Sequence, residues 1–173
     1  MKVGFCLLFA ASHVDASHRP VLETMKRLGY DGVEIPVFEG DVAHYGTLGR
    51  MLDDVGLERT IVTIIRDPSE SPISPDPVAR GRAVDRLRWA IDCAAALGAT
   101  VMCGPFHQPL AVFTGKGPSE DETAWLADVM REAAGHAAKA LEVYKMVLDV
   151  NGLMEIPLIG DRAEMLKRIG NGG

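Results

Sequence analysis

Two similar stretches of the sequence each place a glutamate in an apolar run that ends in Gly-Asp. The first, GVEIPVFEGD, covers residues 32–41 and contains Glu34; the second, GLMEIPLIGD, covers residues 152–161 and contains Glu155. Each run is typical of a buried strand, and a helix start signal follows it. A carboxylate at a strand end can accept hydrogen bonds from a ligand's hydroxyl groups or support a neighbouring side chain. For Glu34, capping or ion pairing beside the next helix is an equally open interpretation.

Two further polar side chains follow predicted strands and could contact a ligand. His107 follows the fourth predicted strand, in a loop bounded by proline and glycine, where a structural or solvated histidine is the alternative. Arg66 ends the third predicted strand and could bind an anionic substrate. An ion pair between Arg66 and Asp67 or Glu70 is the simpler interpretation.

Cys6 and Phe9 lie on the first predicted strand and could line a pocket, although core packing explains them more simply. The remaining four histidines show no spacing relative to one another that would suit a metal ion. The sequence contains no P-loop and no GxGxxG, GxSxG or HExxH motif. A short motif alone therefore defines no catalytic class.

Short apolar runs alternate with longer amphipathic runs along the chain. Strands are predicted at residues 2–9, 32–37, 59–65 and 99–104. Helices are predicted at residues 17–28, 44–55 and 77–97, with Ser17 and Asp76 as N-caps and Gly29, Gly56 and Gly98 as stops. This alternation predicts right-handed βαβ units and a parallel sheet covered by helices.

The last third of the chain contains a segment that fits either a helix or a strand. Ser119 and Glu122 form a capping box for a helix that is predicted to continue to residue 149, because apolar residues recur at steps of three and four. LEVYKMVLDV could instead be a strand, but neither of its faces would then be free of charged residues. A fifth strand at residues 153–159, which carries Glu155, and a last helix are predicted to follow.

The composition indicates one soluble domain that handles small molecules. The chain has 173 residues, 47% of them hydrophobic, and a net charge of −6, which argues against a nucleic-acid partner. Its three cysteines form no CxxC pair, which favours a reducing cytoplasm. The apolar run after Lys2 could also be a secretory signal, but a buried first strand is favoured. No run is long enough for a membrane span.

Three blocks of sequence resemble a known family. They are MKVGF, LGYDGVEIPVFEG and ALGATVMCGPFHQPLAVFTGKGPS, and the resemblance covers about residues 1–139. Together they are similar to the sugar isomerase and epimerase family of xylose-isomerase-like TIM barrels, nearest to the D-tagatose 3-epimerase branch. The resemblance implies a (β/α)8 barrel with its active site at the carboxyl ends of the strands.

The resemblance also implies a reaction. Members of this family bind a divalent ion (manganese, magnesium or cobalt), and two glutamates exchange the proton beside the carbonyl of a ketose. On this basis Glu34 and Glu155 are predicted to be catalytic, and Glu155 and His107 to be metal ligands. The predicted substrate-binding residues are Cys6, Phe9, Arg66 and His107.

The sequence departs from the family after GHAAKA, where the expected glycine-valine strand and its metal-binding glutamate have no clear counterpart. We therefore expect one α/β domain over residues 1–173, with family-like βα units at 1–139 and a divergent segment at 140–173. The expected fold is a partial (β/α)8 barrel of about five βα units, and a doubly wound flavodoxin-like sheet is the alternative, which strand order would distinguish.

Because strands six to eight have no counterpart, the chain is expected to be a truncated, divergent or recombined barrel that is weakly active or inactive alone. The resemblance implies a divalent metal as cofactor, and the alternative is that this chain by itself binds none. Its expected partner is a small sugar, with neither nucleic acid nor membrane. The alternative function is a non-catalytic half-barrel module that associates into a homodimer, because open sheet edges favour pairing.

Overall fold

The fold is a parallel five-stranded sheet with its strands in sequence order. The structure is a computed structural model that describes residues 2–140 and 145–148, the last four by their backbone alone. The strands are β1 (Gly4–Cys6), β2 (Gly32–Pro36), β3 (Glu58–Val62), β4 (Val101–Gly104) and β5 (Lys145–Leu148). The helices are α1 (Arg19–Arg27), α2 (Val42–Val55), α3 (Pro77–Leu97) and α4 (Glu120–Ala140).

The order β1-β2-β3-β4-β5, with every neighbouring pair parallel, decides between the two predicted folds. A doubly wound sheet would place β1 between β2 and β3, whereas a barrel keeps its strands in sequence order. The partial barrel is therefore confirmed, and the flavodoxin-like alternative is wrong. Among the described residues, no helix combines the length and apolarity that crossing a membrane requires.

The two faces of the sheet have different surroundings because side chains alternate along each strand. The buried core, packed between the sheet and the helices, includes Val33, Ile35, Ile61 and Met102. The alternate residues project from the opposite face, which corresponds to the inside of a barrel, and which we call the concave face. Cys6, Glu34, Thr60 and Cys103 lie there and are only half-buried.

The predicted helix ends are largely confirmed by hydrogen bonds. The Asp76 carboxylate accepts from the backbone N–H of Val78, and Ser119 and Glu122 exchange both bonds of their capping box. Ser17 is not the N-cap of the first helix. Asp15 caps a 3₁₀ turn at Ala16–His18 instead, and α1 continues from that turn.

The first strand is shorter than predicted. An apolar run from residue 2 to residue 9 favours one strand, but β1 ends at Cys6 and Leu7–Phe9 form a 3₁₀ turn. Leu7 enters the core, whereas Phe9 is 88% exposed. Hydrophobicity alone therefore could not locate the end of this strand.

The predicted continuous helix over residues 119–149 is also wrong. The helix ends at Ala140, and Lys145–Leu148 form β5, which pairs with β4 in parallel from Val101 to Gly104. Backbone pairing with an existing strand outweighs the helical periodicity of this segment. The predicted strand at 153–159, the last helix and Glu155 lie outside the described residues.

Candidate functional site

Glu34 is the central polar residue of the concave face. It is the third of the five residues of β2, so it lies within the strand rather than at its mouth, and its neighbours in register are Cys6 on β1 and Thr60 on β3. The thiol of Cys103 on β4 donates to Glu34 Oε1 across β3, with a sulfur–oxygen distance of 2.7 Å. Among the described residues, Glu34 neither caps a helix nor forms an ion pair. The interpretation of Glu34 as a capping or ion-paired residue is therefore not supported in this part of the chain.

Cys6 lies on the other side of Glu34. Burial raises the pKa of the Cys6 thiol; a hydrogen bond with the Leu8 backbone acts in the opposite direction, and the negative charge of Glu34 and its hydrogen bond raise the pKa further. The thiol is therefore the stable form of Cys6 at neutral pH. The thiols of Cys6 and Cys103 thus lie on either side of one carboxylate and orient it through hydrogen bonds.

A cavity of about 640 Å³ lies against this part of the sheet. Cys6, Glu34 and Thr60 line it, but so do Lys2 and Glu58 near the amino ends of the strands. In this fold the chemistry occurs at the carboxyl ends of the strands. We therefore assign only the part of the cavity beside Glu34 to the site.

The loop after β4 brings His107 to the carboxyl edge of the sheet. The last residue of β4, Gly104, has a φ of +133°, and a Cβ atom there would lie only 2.0 Å from the carbonyl oxygen of Thr63. Glycine is therefore required where β4 approaches the end of β3. Phe106 is fully buried and anchors the loop, and the neighbouring His107 is half-buried.

Arg66 is an exposed residue just beyond the carboxyl end of β3. It forms no ion pair with Asp67 or Glu70, so this predicted interpretation is wrong. The Asp67 carboxylate instead caps a short turn by accepting from the backbone N–H of Ser69. The guanidinium of Arg66 lies over the ring of Phe38, 4.7 Å from its centroid. Arg66 is therefore available at the rim of the site.

The structure brings some predicted site residues together and not others. Cys6 and Glu34 share the concave face, whereas Phe9 extends into solvent and does not pack in the core. Cys103 was missed, although its alternate position in ATVMCG could have placed it on the same face as Glu34. Arg86 on α3 was also missed, and no sequence pattern could have indicated it, because its hydrogen bond to Phe38 at the rim depends on the tertiary structure.

The described residues do not supply a complete metal site. Among residues 2–140, no group of three or more histidine, cysteine, aspartate or glutamate side chains is arranged to hold a metal ion. Zinc sites, for comparison, use about four protein ligands when structural and about three when catalytic. Residues 2–140 alone therefore do not supply a complete ligand set of this kind for the divalent ion that the family resemblance implies.

A parallel sheet whose strands lie in sequence order, with a carboxylate on its barrel-facing side, places the protein in the class of (β/α)8-barrel proteins. The family model described as xylose isomerase-like TIM barrel matches residues 22–155. The chain belongs to this family, as the sequence resemblance predicts. No curated protein matches the chain.

Several solved structures share the fold. D-allulose 3-epimerase from Methylomonas sp., in complex with D-allulose, has a TM-score of 0.75 and 22% identity, over 98% of this chain and 58% of that one. D-psicose 3-epimerase from Clostridium cellulolyticum H10, with D-tagatose, has a TM-score of 0.71 and 18% identity, over 86% and 52%. IOLI protein, with a binding zinc atom, has a TM-score of 0.61 and 15% identity, over 86% and 51%. The chain thus spans between half and three-fifths of the length of these proteins.

Proposed function

We propose that this chain binds a ketose and takes part in a sugar isomerase or epimerase reaction, with Glu34 as the carboxylate that contacts the sugar. The observation that carries the proposal is the position of Glu34, half-buried on the concave face and held by the thiol of Cys103. Membership of the xylose isomerase-like family and the likeness in fold to ketose 3-epimerases support the same substrate class.

The proposed chemistry is a proton transfer. The Glu34 carboxylate takes the proton from the carbon beside the ketose carbonyl, and the electron pair of that C–H bond moves into an enediolate. Return of a proton to the same face regenerates the ketose, and return to the opposite face gives its epimer. The Cys6 and Cys103 thiols orient Glu34, and the half-buried surface limits competition from water.

We expect any turnover by this chain to be slow. Within the described strands, Glu34 is the one carboxylate on the concave face that does not lie at the amino edge, and epimerisation also needs a donor on the opposite face of the sugar. No metal site among residues 2–140 compensates by stabilising the enediolate. Glu155 and His107 remain proposed ligands for such an ion, and Glu155 remains the proposed second carboxylate.

The test is ketose binding, measured by titrating the ¹⁵N-labelled chain with D-tagatose, D-fructose and D-psicose. We expect amide shifts at Cys6, Glu34 and Cys103, and binding about tenfold weaker in Glu34→Gln, because a hydrogen bond to a charged group is lost. Glu58→Gln is the matched control, since Glu58 lies on β3 at the amino edge and is exposed. An absence of shifts on the concave face with all three ketoses would refute the proposal.

Turnover is followed in the same samples by chromatography, with and without Mn²⁺. Slow interconversion that Glu34→Gln abolishes would support the assignment of Glu34 as the base. Turnover at ordinary enzymatic rates that a chelator abolishes would instead show that residues outside the described part complete a metal site. Manganese affinity in Glu155→Gln and His107→Ala would then identify those ligands.

A further inference from the structure

Two arginines converge on one phenylalanine at the carboxyl edge of the sheet. Phe38 lies two residues beyond the end of β2. The guanidinium of Arg66, from the segment after β3, lies 4.7 Å from the centroid of the Phe38 ring. Nη2 of Arg86, from α3, donates a hydrogen bond of 2.9 Å to the Phe38 carbonyl oxygen. The side chains of Arg66 and Arg86, from two different segments of the chain, therefore both contact Phe38, one at its ring and the other at its backbone carbonyl.

The guanidinium of Arg86 is held in a fixed position. It stacks over the ring of Trp89 with its Cζ atom 4.1 Å from the ring centroid, and its side chain is half-buried. Burial lowers the pKa of Arg86; the charge of Glu70 acts in the opposite direction, and the nearby positive charge of Arg66 lowers the pKa further. The two guanidiniums are thus close enough to repel each other.

Neither charge is neutralised by an ion pair with the described residues. Among residues 2–140, no carboxylate lies within ion-pair distance of Arg66 or Arg86, although other arginines have such partners: Arg19 with Asp54, Arg59 with Asp53 and Arg88 with Glu132. Within the same part of the chain, Arg66 donates no hydrogen bond. Most of the N–H donors of this pair therefore remain available at the rim.

We propose that Arg66 and Arg86 form an anion-binding subsite beside Phe38, and that the ketose bound by this chain carries a phosphate or carboxylate group. The inference rests on the proposed function, because the subsite lies on the same carboxyl edge as His107 and the loop after β2. Guanidinium groups bind phosphate and carboxylate oxygens through paired N–H donors. An anion there relieves the repulsion between the two arginines.

The test compares charged and neutral ligands by titration calorimetry at low ionic strength. D-fructose 6-phosphate is expected to bind about tenfold or more tightly than D-fructose, and the difference is expected to shrink as NaCl is added. D-gluconate and inorganic phosphate serve as further probes. Tighter binding of the phosphate ester than of D-gluconate would assign a phosphate, and the reverse would assign a carboxylate.

Arg66→Gln removes a charge from an exposed side chain, so its effect on folding is expected to be small. We expect D-fructose 6-phosphate to bind this variant about as weakly as D-fructose. Arg80→Gln is the matched control, because Arg80 also stacks on a tryptophan ring and donates to backbone carbonyl oxygens, but on another part of α3. Arg80→Gln should retain the preference for the charged ketose.

The subsite would be overturned if D-fructose and D-fructose 6-phosphate bound with equal affinity, or if Arg66→Gln left their difference unchanged. Failure of the proposed function would give a different result. Inorganic phosphate would then bind in an Arg66-dependent manner while none of the ketoses bound more tightly than phosphate alone. That outcome would support the anion subsite and refute the ketose proposal.

Discussion

Cys6 shows how the environment of one residue sets its chemistry on the concave face. Burial raises the pKa of its thiol, and the neighbouring Glu34 carboxylate contributes in the same direction. Because a raised pKa reduces the thiolate fraction, we expect iodoacetamide to modify Cys6 with a pH midpoint above that of the same cysteine in the urea-unfolded chain. A shifted midpoint indicates a changed pKa, whereas reduced accessibility would lower the rate of modification by the same factor at every pH. Peptide-resolved mass spectrometry from about pH 7 to about pH 10 measures it.

Two controls accompany the alkylation experiment. Cys93 is fully buried, and burial raises its pKa to about 11, so it should remain unmodified while the protein is folded. Glu34→Gln should lower the midpoint of Cys6 only slightly, because burial is the larger cause of its shift. A Cys6 midpoint equal to or below that of the unfolded chain would contradict the described environment of this thiol.

At the scale of elements, the packing of α2 against α3 depends on one glycine. A Cβ atom at Gly49 would lie 2.7 Å from the carbonyl oxygen of Leu97, near the end of α3. Gly49→Ala must therefore move one helix away from the other, and we expect it to lower the free energy of unfolding by about 1–3 kcal/mol. Urea unfolding monitored by circular dichroism measures the change.

Gly46 provides the matched control within α2. A Cβ atom there would be 4.0 Å from its nearest neighbours, the carbonyl oxygen of Ala96 and Nη1 of Arg50, which is ordinary van der Waals contact. Because alanine has a higher helix propensity than glycine, Gly46→Ala should raise the free energy of unfolding by up to about 1 kcal/mol. Equal stability of the two variants would show that the α2–α3 contact is looser than described.

Helix ends were predictable from the sequence because their signals are local. Asp76 with Pro77 and the Ser119–Glu122 box define starts, and the left-handed Gly56 and Gly98 define stops, without reference to the rest of the chain. Strand ends depend on pairing partners and were less predictable. Residues 145–148 have a helical apolar pattern but pair with β4, which periodicity cannot reveal.

The candidate site was predictable only in part, for the same reason. Glu34 and Cys6 could be placed on strands from their own sequence context, and their strand neighbours followed from the barrel fold. The contact of Arg86 with Phe38 joins residues 48 positions apart, and only the tertiary structure brings them together. Ion pairs between sequence neighbours were overestimated, since Asp67 caps a turn and leaves Arg66 unpaired among the described residues.

At the scale of the whole molecule, the sheet has an open edge at β1. Among the described residues, β1 pairs with β2 alone, and exposed apolar side chains at Val3, Leu8 and Phe9 lie in or beside it. The long helix α4 does not cover this edge, because it packs on α3 through pairs such as Arg88 with Glu132. An exposed parallel edge favours pairing with another chain.

We therefore expect the 173-residue chain to form a homodimer in which two half-barrels associate through their open edges. The five strands of the described residues cannot close a barrel that requires eight, and a symmetric pairing would cover the apolar edge and enclose both copies of Glu34. Light scattering across a hundredfold dilution should give a mass of twice 18.6 kDa at high concentration and a shift towards the monomer on dilution. Val3→Lys, which places a charge at the edge, should shift the equilibrium towards monomer, whereas Val78→Lys, at a somewhat more exposed position on α3, should not. A compact species of 18.6 kDa at every concentration would rule out the dimer.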